Sequence, residues 1–196
     1  METINYKLAF SMDSSKPFSS WDESIKKNWQ GIKISPSFEQ KSKSRKEANW
    51  THPKPGWSKL NFDGASKGNS SPSGIGYVIR DHLGAIIGKM AKPLPPDTNN
   101  IAEFKPLQLG LMDCIKHGLR NIIVEGDSEI AINAIKRQKT PNWRLQAILD
   151  SILENLAKLE QYEAKHIFRE VNIVADVLSK ATIEGAYIHW WDQGVR

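Results

Sequence analysis

Four acidic residues, Asp63, Glu103, Asp127 and Asp176, stand near the ends of predicted elements, where side chains from distant parts of the chain can meet. Like charges held together in a partly dry cleft repel one another and raise one another's pKa, so divalent cations are the natural means of keeping them ionised. Oxygen ligands without cysteine select hard ions such as Mg²⁺ or Mn²⁺, which retain waters and accept substrate phosphates. The four acids therefore predict a metal site that acts on a phosphate.

Each acid taken alone also has an ordinary structural explanation. Asp63 and the glycine after it can form a turn, and Glu103 can be a solvated helix residue. Asp127 can cap the helix that follows it, and Asp176 can be a favourable charge near a helix N-terminus. The metal-site hypothesis therefore depends on the order and context of all four.

The first half of the domain is predicted to contain three antiparallel strands. Residues 57–65 alternate between apolar and polar side chains, which places Asp63 near the end of a half-buried strand. Residues 75–80 and 85–89 are typical of a hairpin around a short turn. A proline cluster, residues 93–96, is then expected to break the chain.

The remaining acids are predicted to lie on or beside helices. A helix beginning at Asn99 or Asn100 and ending at Gly118 carries Glu103, and Pro106 predicts a kink or a strained turn within it. A buried strand over residues 121–125 leads to Asp127, and helices follow over residues 128–138 and after Pro141. A last strand over residues 162–169 precedes a helix that Asn172 caps and that carries Asp176. The element order is βββ-α-β-α-α-β-α, an α/β arrangement with a mixed five-stranded sheet flanked by helices.

Composition bounds the kind of protein. The chain has 196 residues with 39% hydrophobic and 25% charged residues, which is globular composition. Its single cysteine, Cys114, excludes an internal disulfide framework and a thiolate zinc module. No apolar stretch is long enough to cross a bilayer, and residues 1–20 lack the pattern of a signal peptide. We expect a protein without a membrane partner, not secreted, located in the nucleus or cytoplasm.

The excess of positive charge lies in a leader that precedes the regular elements. Residues 1–56 carry 10 Lys/Arg and 6 Asp/Glu, whereas residues 57–196 carry 17 and 16. The leader is polar, serine-rich and without a sustained period, so we expect a flexible arm or linker. A nuclear import signal or a nucleic-acid-binding arm is the alternative interpretation. The predicted division is a leader over 1–56, a domain over 57–183 and a C-terminal tail over 184–196.

Five ordered stretches of the chain resemble the type 1 ribonuclease H family, in its plant, retroelement-associated branch. They are spread in order across the region from Trp57 to Lys180, and they are residues 59–65 (KLNFDGA), 74–81 (GIGYVIRD), 100–103 (NIAE), 124–128 (VEGDS) and 169–180 (REVNIVADVLSK). The resemblance implies a ribonuclease H-like fold and an endoribonuclease that cuts the RNA strand of RNA/DNA hybrids. It places the family's metal-binding acids on Asp63, Glu103, Asp127 and Asp176.

The resemblance also implies a cofactor and contacts with the substrate. Two Mg²⁺ ions, with Mn²⁺ as a possible substitute, would bridge the scissile phosphate, and Arg169 would take the place of the catalytic histidine loop of bacterial members. Small side chains and backbone amides of Gly64, Ala65 and Ser66 would approach the sugar-phosphate chain. Asn61 and Asn100 would read 2′-hydroxyl groups.

Several residues depart from the family pattern. His166 lies on the last predicted strand and is expected to be structural, and the segment over residues 136–144 is too short for the basic helix with which some members grip DNA. Pro106 stands one turn beyond Glu103 and could misplace that ligand, and Gly126 stands where serine is usual. Trp143 and the Trp190-Trp191 pair are expected to serve as packing anchors more than as base-stacking platforms.

Three functions stay open on this reading. The first is the hybrid-specific endoribonuclease. The second is a nucleic-acid-binding module, a retroelement remnant that has weak or no turnover. The third is a metal-dependent 3′–5′ exonuclease on a related fold, which the strand order and the Asp63-Gly64-Ala65 turn disfavour. We expect a monomer, with a linkage to a reverse transcriptase possible.

Overall fold

The computed structural model describes residues 50–66, 68, 71–97, 99–140, 142–183, 185–192 and 194. The predicted leader lies outside these residues except for its last seven. The described chain contains six strands and four helices, which are, in order, β1 (Ser58–Ser66), β2 (Ser71–Arg80), β3 (Ile86–Asp97), α1 (Asn99–Lys116), β4 (Asn121–Gly126), α2 (Glu129–Arg137), α3 (Trp143–Ala157), β5 (Gln161–His166), α4 (Ile173–Ile183) and β6 (Ile188–Trp191). None of the described helices is long and apolar enough to cross a membrane.

The strands form one mixed sheet in the order β5-β4-β1-β2-β3-β6. The strand pairs β1–β2, β2–β3 and β3–β6 are antiparallel, whereas β1–β4 and β4–β5 are parallel. This sheet confirms the predicted mixed α/β arrangement and the order βββ-α-β-α-α-β-α up to α4. It has one more strand than the five predicted, because β6 pairs with β3 at the edge of the sheet.

The added strand lies in the segment that the sequence assigned to a tail. Trp191 at its end is 8% exposed, and its ring lies where a side chain on Gly88 of β3 would have to go. Its indole also stacks on His117, which directly follows α1, with the ring centroids 3.8 Å apart. Trp191 is therefore a packing anchor, as expected, and it fastens β6 to both layers of the domain.

The proline cluster does not break the chain where the sequence predicted. Strand β3 continues through all three prolines and pairs with β2 as far as Asp97, which lies opposite Ser71 after a register shift between Ser73 and Ser71. Beyond Ala91 the other edge of β3 has no partner in β6. Prolines are tolerated there because a missing backbone N–H on a free edge leaves no ladder bond unmade.

The two faces of the sheet are covered differently. Leu60 and Phe62 of β1 face the main core, where α1, α2 and α3 bury a continuous set of aliphatic and aromatic side chains. Alternation along the strand sends Lys59, Asn61 and Asp63 to the opposite face, which α4 covers in part. The acidic residue of β1 is therefore buried under α4 and away from the main core.

Candidate active site

Strand β1 and helix α1 approach closely because Gly64 has no side chain. A Cβ atom at Gly64 would lie 2.1 Å from the carbonyl oxygen of Ala102 and 2.9 Å from the backbone nitrogen of Glu103. Helix α1 runs through Pro106 without a break, and a proline at this position has no N–H for the Ala102 carbonyl four residues earlier. The close approach brings the Glu103 segment against the strand that carries Asp63.

Helix α4 approaches the sheet through a second glycine. A Cβ atom at Gly76 of β2 would lie 2.4 Å from the backbone nitrogen of Ser179 and 2.5 Å from the carbonyl oxygen of Ala175. This contact sets α4 against β1 and β2 with Asp176 in its first turn. Asp127 directly follows β4, which runs parallel to β1 beside it. Four separate elements thus deliver one acid each to the same end of the sheet.

Asp63 lies deepest in this group. It is 3% exposed, and burial above all raises its pKa from 3.8 to about 7. The hydrogen bond from Ser179 lowers this pKa, whereas the charges of Asp127 and Asp176 and a side-chain hydrogen bond with Asp127 raise it. A carboxylate in these surroundings keeps a proton near neutral pH unless a cation compensates its charge.

Glu103 is in a similar position. Its pKa is raised from 4.5 to about 8, above all by burial and in addition by the charges of Asp63 and Asp127. The charge of Arg169 and a hydrogen bond with Ser128 act in the opposite direction. Asp63 and Asp127, which lie on or beside other elements, therefore raise the pKa of Glu103, which is the electrostatic consequence of gathering like charges.

Asp176 differs because it has cationic partners. Arg169 donates from Nε to Oδ1 at 2.9 Å and also from Nη2 to the same oxygen, and Lys180, one turn along α4, lies 2.6 Å from Oδ2. The hydrogen bond to Asp176 also raises the pKa of Arg169. Arg169 thus lies beside Asp176, although β5 ends at His166 and Arg169 lies in the turn before α4, and its catalytic role stays a prediction.

Asn172 links Asp127 to β1. Its side-chain Nδ2 donates to the carbonyl oxygen of Phe62 at 2.8 Å and to Oδ1 of Asp127 at 3.2 Å, and the residue is 1% exposed. Asn172 directly precedes α4, as predicted, and its backbone carbonyl accepts from the Asp176 N–H at 3.1 Å, whereas its side-chain amide donates across the sheet. The side-chain oxygen of Asn172 has no hydrogen-bond partner in the described part of the chain.

His166 and Gly126 have structural explanations. His166 is exposed, and its Nε2 lies 3.1 Å from the carbonyl oxygen of Asp127, so it borders the site without touching a carboxylate in the described contacts. A Cβ atom at Gly126 would lie 2.5 Å from the ring of Phe62. The absence of the usual serine at this position accommodates that aromatic ring.

The predicted substrate-binding residues lie at different depths. Gly64 faces α1, and Ala65 is 9% exposed. The Ser66 hydroxyl donates to the carbonyl oxygen of Gly68 at 2.7 Å, and Asn100 is half-buried in the first turn of α1. Their contacts with a substrate stay predictions.

Asn61 lies beneath an aromatic residue that the sequence assigned to the leader. It is 1% exposed, its Nδ2 donates to Glu125, and its Oδ1 accepts from Trp50 at 3.1 Å and from Arg80 at 3.2 Å. Each of these side-chain hydrogen bonds is made with a protein group. A contact between Asn61 and a 2′-hydroxyl would require Trp50 to move.

The site has the donors that a hard divalent cation prefers. Carboxylate oxygens come from four elements, and a buried amide oxygen on Asn172 stands beside them. Among the described residues, no group of three or more His, Cys, Asp and Glu side chains is already arranged to hold a metal ion. The donor chemistry therefore fits a divalent cation, while Asp176 is held by Arg169 and Lys180.

Two residues of this site, Ser179 and Lys180, were not predicted from the sequence, nor was the contact that the Asn172 side chain makes with Asp127. They follow from the way in which α4 packs on the sheet. The available signal was spacing: Ser179 and Lys180 follow Asp176 by three and four residues, which places them beside it on one helix.

Two relatives of this chain bear the name ribonuclease H. Ribonuclease HI of Halobacterium salinarum is 28% identical over 130 residues, which cover 64% of this chain and 63% of the relative. A putative ribonuclease H protein of Arabidopsis thaliana is 29% identical over 130 residues, which cover 66% of this chain and 21% of the relative. The chain thus spans less than two thirds of the length of each.

Solved structures share the fold. Ribonuclease H1 of Halobacterium salinarum superposes with a TM-score of 0.63 at 27% identity, covering 66% of this chain and 99% of that one. LC11-RNase H1, isolated from compost, was solved in complex with an RNA/DNA hybrid, and it superposes with a TM-score of 0.61 at 27% identity over 65% of this chain and 96% of that one. The predicted ribonuclease H-like fold is confirmed.

The family model described as reverse transcriptase-like matches residues 61–182. This match contains all four acids as well as Arg169, and it extends from β1 to α4. The resemblance identified from five sequence stretches is confirmed: the chain belongs to the reverse transcriptase-like family.

Proposed function

We propose that the protein is a metal-dependent endoribonuclease that hydrolyses the RNA strand of RNA/DNA hybrids. The observation that carries the proposal is the convergence of Asp63, Glu103, Asp127 and Asp176 at one end of a ribonuclease H-like sheet. Two relatives bear the name ribonuclease H, and one neighbour was solved with an RNA/DNA hybrid. These similarities support the reaction and the substrate class.

Mg²⁺ would be held by the four carboxylates. When bound, divalent cations supply Lewis-acid stabilisation of the charge that develops on the scissile phosphate. The raised pKa values of Asp63 and Glu103 mean that the protein releases protons when these carboxylates ionise to receive a cation. Asp176 would exchange its contacts with Arg169 and Lys180 for the cation.

Arg169 would then act on the substrate. Its side chain is 59% exposed, and its guanidinium lies against Asp176. Arg169 can therefore contact a phosphate at the rim of the site while its guanidinium stays within the site. A guanidinium presents several N–H donors to phosphate oxygens and needs no change of protonation to do so. Lys180, 52% exposed on the other side of Asp176, offers a second cation to the nucleic-acid backbone.

The test is cleavage of a labelled RNA/DNA hybrid by the full chain in Mg²⁺, in Mn²⁺ and in EDTA, with double-stranded RNA, double-stranded DNA and single strands in parallel. Asp127→Asn is the inactive variant. Asp150→Asn is the matched control, because Asp150 is exposed on α3 and contacts only Gln146 in the described hydrogen bonds.

Internal cuts confined to the RNA strand of the hybrid, lost in EDTA and in Asp127→Asn but kept in Asp150→Asn, would support the proposal. Degradation from a 3′ end would favour the exonuclease alternative. Folded protein that binds the hybrid and cuts nothing in either metal would replace the enzyme with a nucleic-acid-binding module.

A further inference from the structure

Ser179 is a buried hydroxyl residue on the side of α4 that faces the sheet. It is 0% exposed and lies over Gly76, whose missing side chain allows the backbone of α4 to come this close. It follows Asp176 by three residues on the same helix. The position is one in which an alanine would fit equally well, so the hydroxyl calls for a reason.

The Ser179 hydroxyl contacts two acceptors. Its Oγ lies 2.5 Å from Oδ2 of Asp63 and 2.9 Å from the carbonyl oxygen of Asp176. A serine has one hydroxyl hydrogen, and a carboxylate is a stronger acceptor than a peptide carbonyl. The hydrogen is therefore donated to Asp63, the shorter of the two contacts.

A hydrogen bond to one oxygen fixes the rotation of a carboxylate. The charges of Asp127 and Asp176 act against the charged form of Asp63, and the hydrogen bond from Ser179 opposes rotation of its carboxylate away from them. We propose that Ser179 is a positioning residue that holds the Asp63 carboxylate in the orientation in which it binds the divalent cation. The inference rests on the metal site of the proposed function and adds a residue that acts through Asp63.

A purely structural role makes a different prediction. Thr182 lies one turn further along α4, is 2% exposed, and donates to the carbonyl oxygen of Ser179 at 2.6 Å. It packs against β2 at Gly74 as Ser179 does at Gly76, but its described hydrogen bond is to helix backbone and not to an acid. Thr182 is therefore the matched control for a buried hydroxyl that serves only packing.

The experiment compares the full chain with Ser179→Ala, with Thr182→Val, which removes the hydroxyl and keeps the shape, and with Asp63→Asn. Mn²⁺ affinity is measured by titration calorimetry, and folding is checked from thermal unfolding in EDTA. Ser179→Ala should bind Mn²⁺ about 10-fold more weakly, the usual effect of losing a residue that orients a metal ligand. Thr182→Val should stay within about twofold of the wild type, as no such contact is lost.

The kinetic readout separates positioning from substrate binding. Ser179→Ala should lower kcat on the hybrid with KM little changed, because the residue does not reach the substrate. Unchanged Mn²⁺ affinity in folded Ser179→Ala, equal weakening in Thr182→Val, or no Mn²⁺ binding by the wild type would overturn the inference. Wild-type protein that binds Mn²⁺ and cuts no hybrid would refute the proposed function alone, and the Mn²⁺ affinities would still decide the role of Ser179.

Discussion

Two buried acids on the same face of the sheet differ in their counter-charges. Glu125 on β4 is 5% exposed and forms an ion pair with Lys59 of β1, Nζ to Oε1 at 2.9 Å, with Asn61 donating to its other oxygen at 3.1 Å. Asp63, two residues beyond Asn61, is 3% exposed and has other acids as its charged neighbours. The first acid is compensated by the protein, and the second is not.

This difference separates a structural acid from a functional one. A buried carboxylate keeps its charge when it is paired and hydrogen-bonded. Without such a partner, burial raises the pKa of the carboxyl group, and the charged form destabilises the fold. We call Trp50, Lys59, Asn61, Arg80 and Glu125 the structural cluster. In it, the ring of Trp50 lies 4.9 Å from Lys59 Nζ and 5.0 Å from the Arg80 guanidinium. Among the described residues, Asp63 forms no ion pair with a Lys or Arg side chain, which suits a site that receives an exchangeable counter-charge.

The largest effect should come from breaking the compensated pair. Lys59→Met leaves Glu125 buried without its cation, and we expect the free energy of unfolding to fall by about 3 to 5 kcal/mol. Urea unfolding measures the change. The double variant Lys59→Met with Glu125→Gln should recover most of the loss, and a double variant as unstable as the single one would contradict the comparison.

Supplying the missing cation should have the next largest effect. Mg²⁺ or Mn²⁺ at a hundredfold excess over its Kd should raise the free energy of unfolding by about 2.7 kcal/mol. The gain should be lost in Asp63→Asn and kept in Asp150→Asn. Thermal unfolding with and without the metal checks this, and an equal gain in Asp63→Asn would show that the ion binds elsewhere.

Neutralising the uncompensated acid should stabilise the protein at high pH. Because the pKa of Asp63 is raised from 3.8 to about 7 in the folded protein, its stabilising contribution is complete below about pH 4 and is lost as the pH rises through about 7. In EDTA, Asp63→Asn should therefore be more stable than the wild type at pH 8, by on the order of 2 kcal/mol, and about equal to it at pH 4. Urea unfolding across this range measures the difference, which should grow with pH.

The smallest effect on stability should come from replacing Trp50, whose ring covers the structural cluster. Trp50→Phe keeps the ring over Lys59 and Arg80 and removes the indole N–H bound to Asn61, so a loss of about 1 kcal/mol is expected. Trp143→Phe, at an 80% exposed position, should change nothing measurable. Hybrid cleavage should be unaffected in both, and a large loss of activity in Trp50→Phe would place the cluster in the functional site.

Much of the site could be predicted because it lies on strongly patterned elements. The alternation around Asp63, the buried run before Asp127 and the helix starts near Glu103 and Asp176 are local signals. They determine which end of each element an acid occupies, and the parallel pairing of β1 with β4 then brings those ends together. The resemblance to ribonuclease H supplied the roles.

The rest depended on tertiary packing, which local patterns do not contain. Strand β6 has four residues and forms only because Trp191 fits over Gly88. The burial of Asn61 under Trp50 joins residues from both sides of the predicted domain boundary. The contact between Ser179 and Asp63 spans 116 residues and depends on how closely α4 approaches at Gly76.

The geometry of the candidate site depends on Gly64 as well as on the four acids. A methyl group at this position would meet the Ala102 carbonyl at 2.1 Å and push α1, with Glu103, away from β1. A displacement near 1 Å can cost about a hundredfold in rate. A Gly64→Ala variant would therefore keep every carboxylate and still cleave slowly. In a related sequence, the presence of all four acids then predicts activity only when a glycine also stands at the position of Gly64.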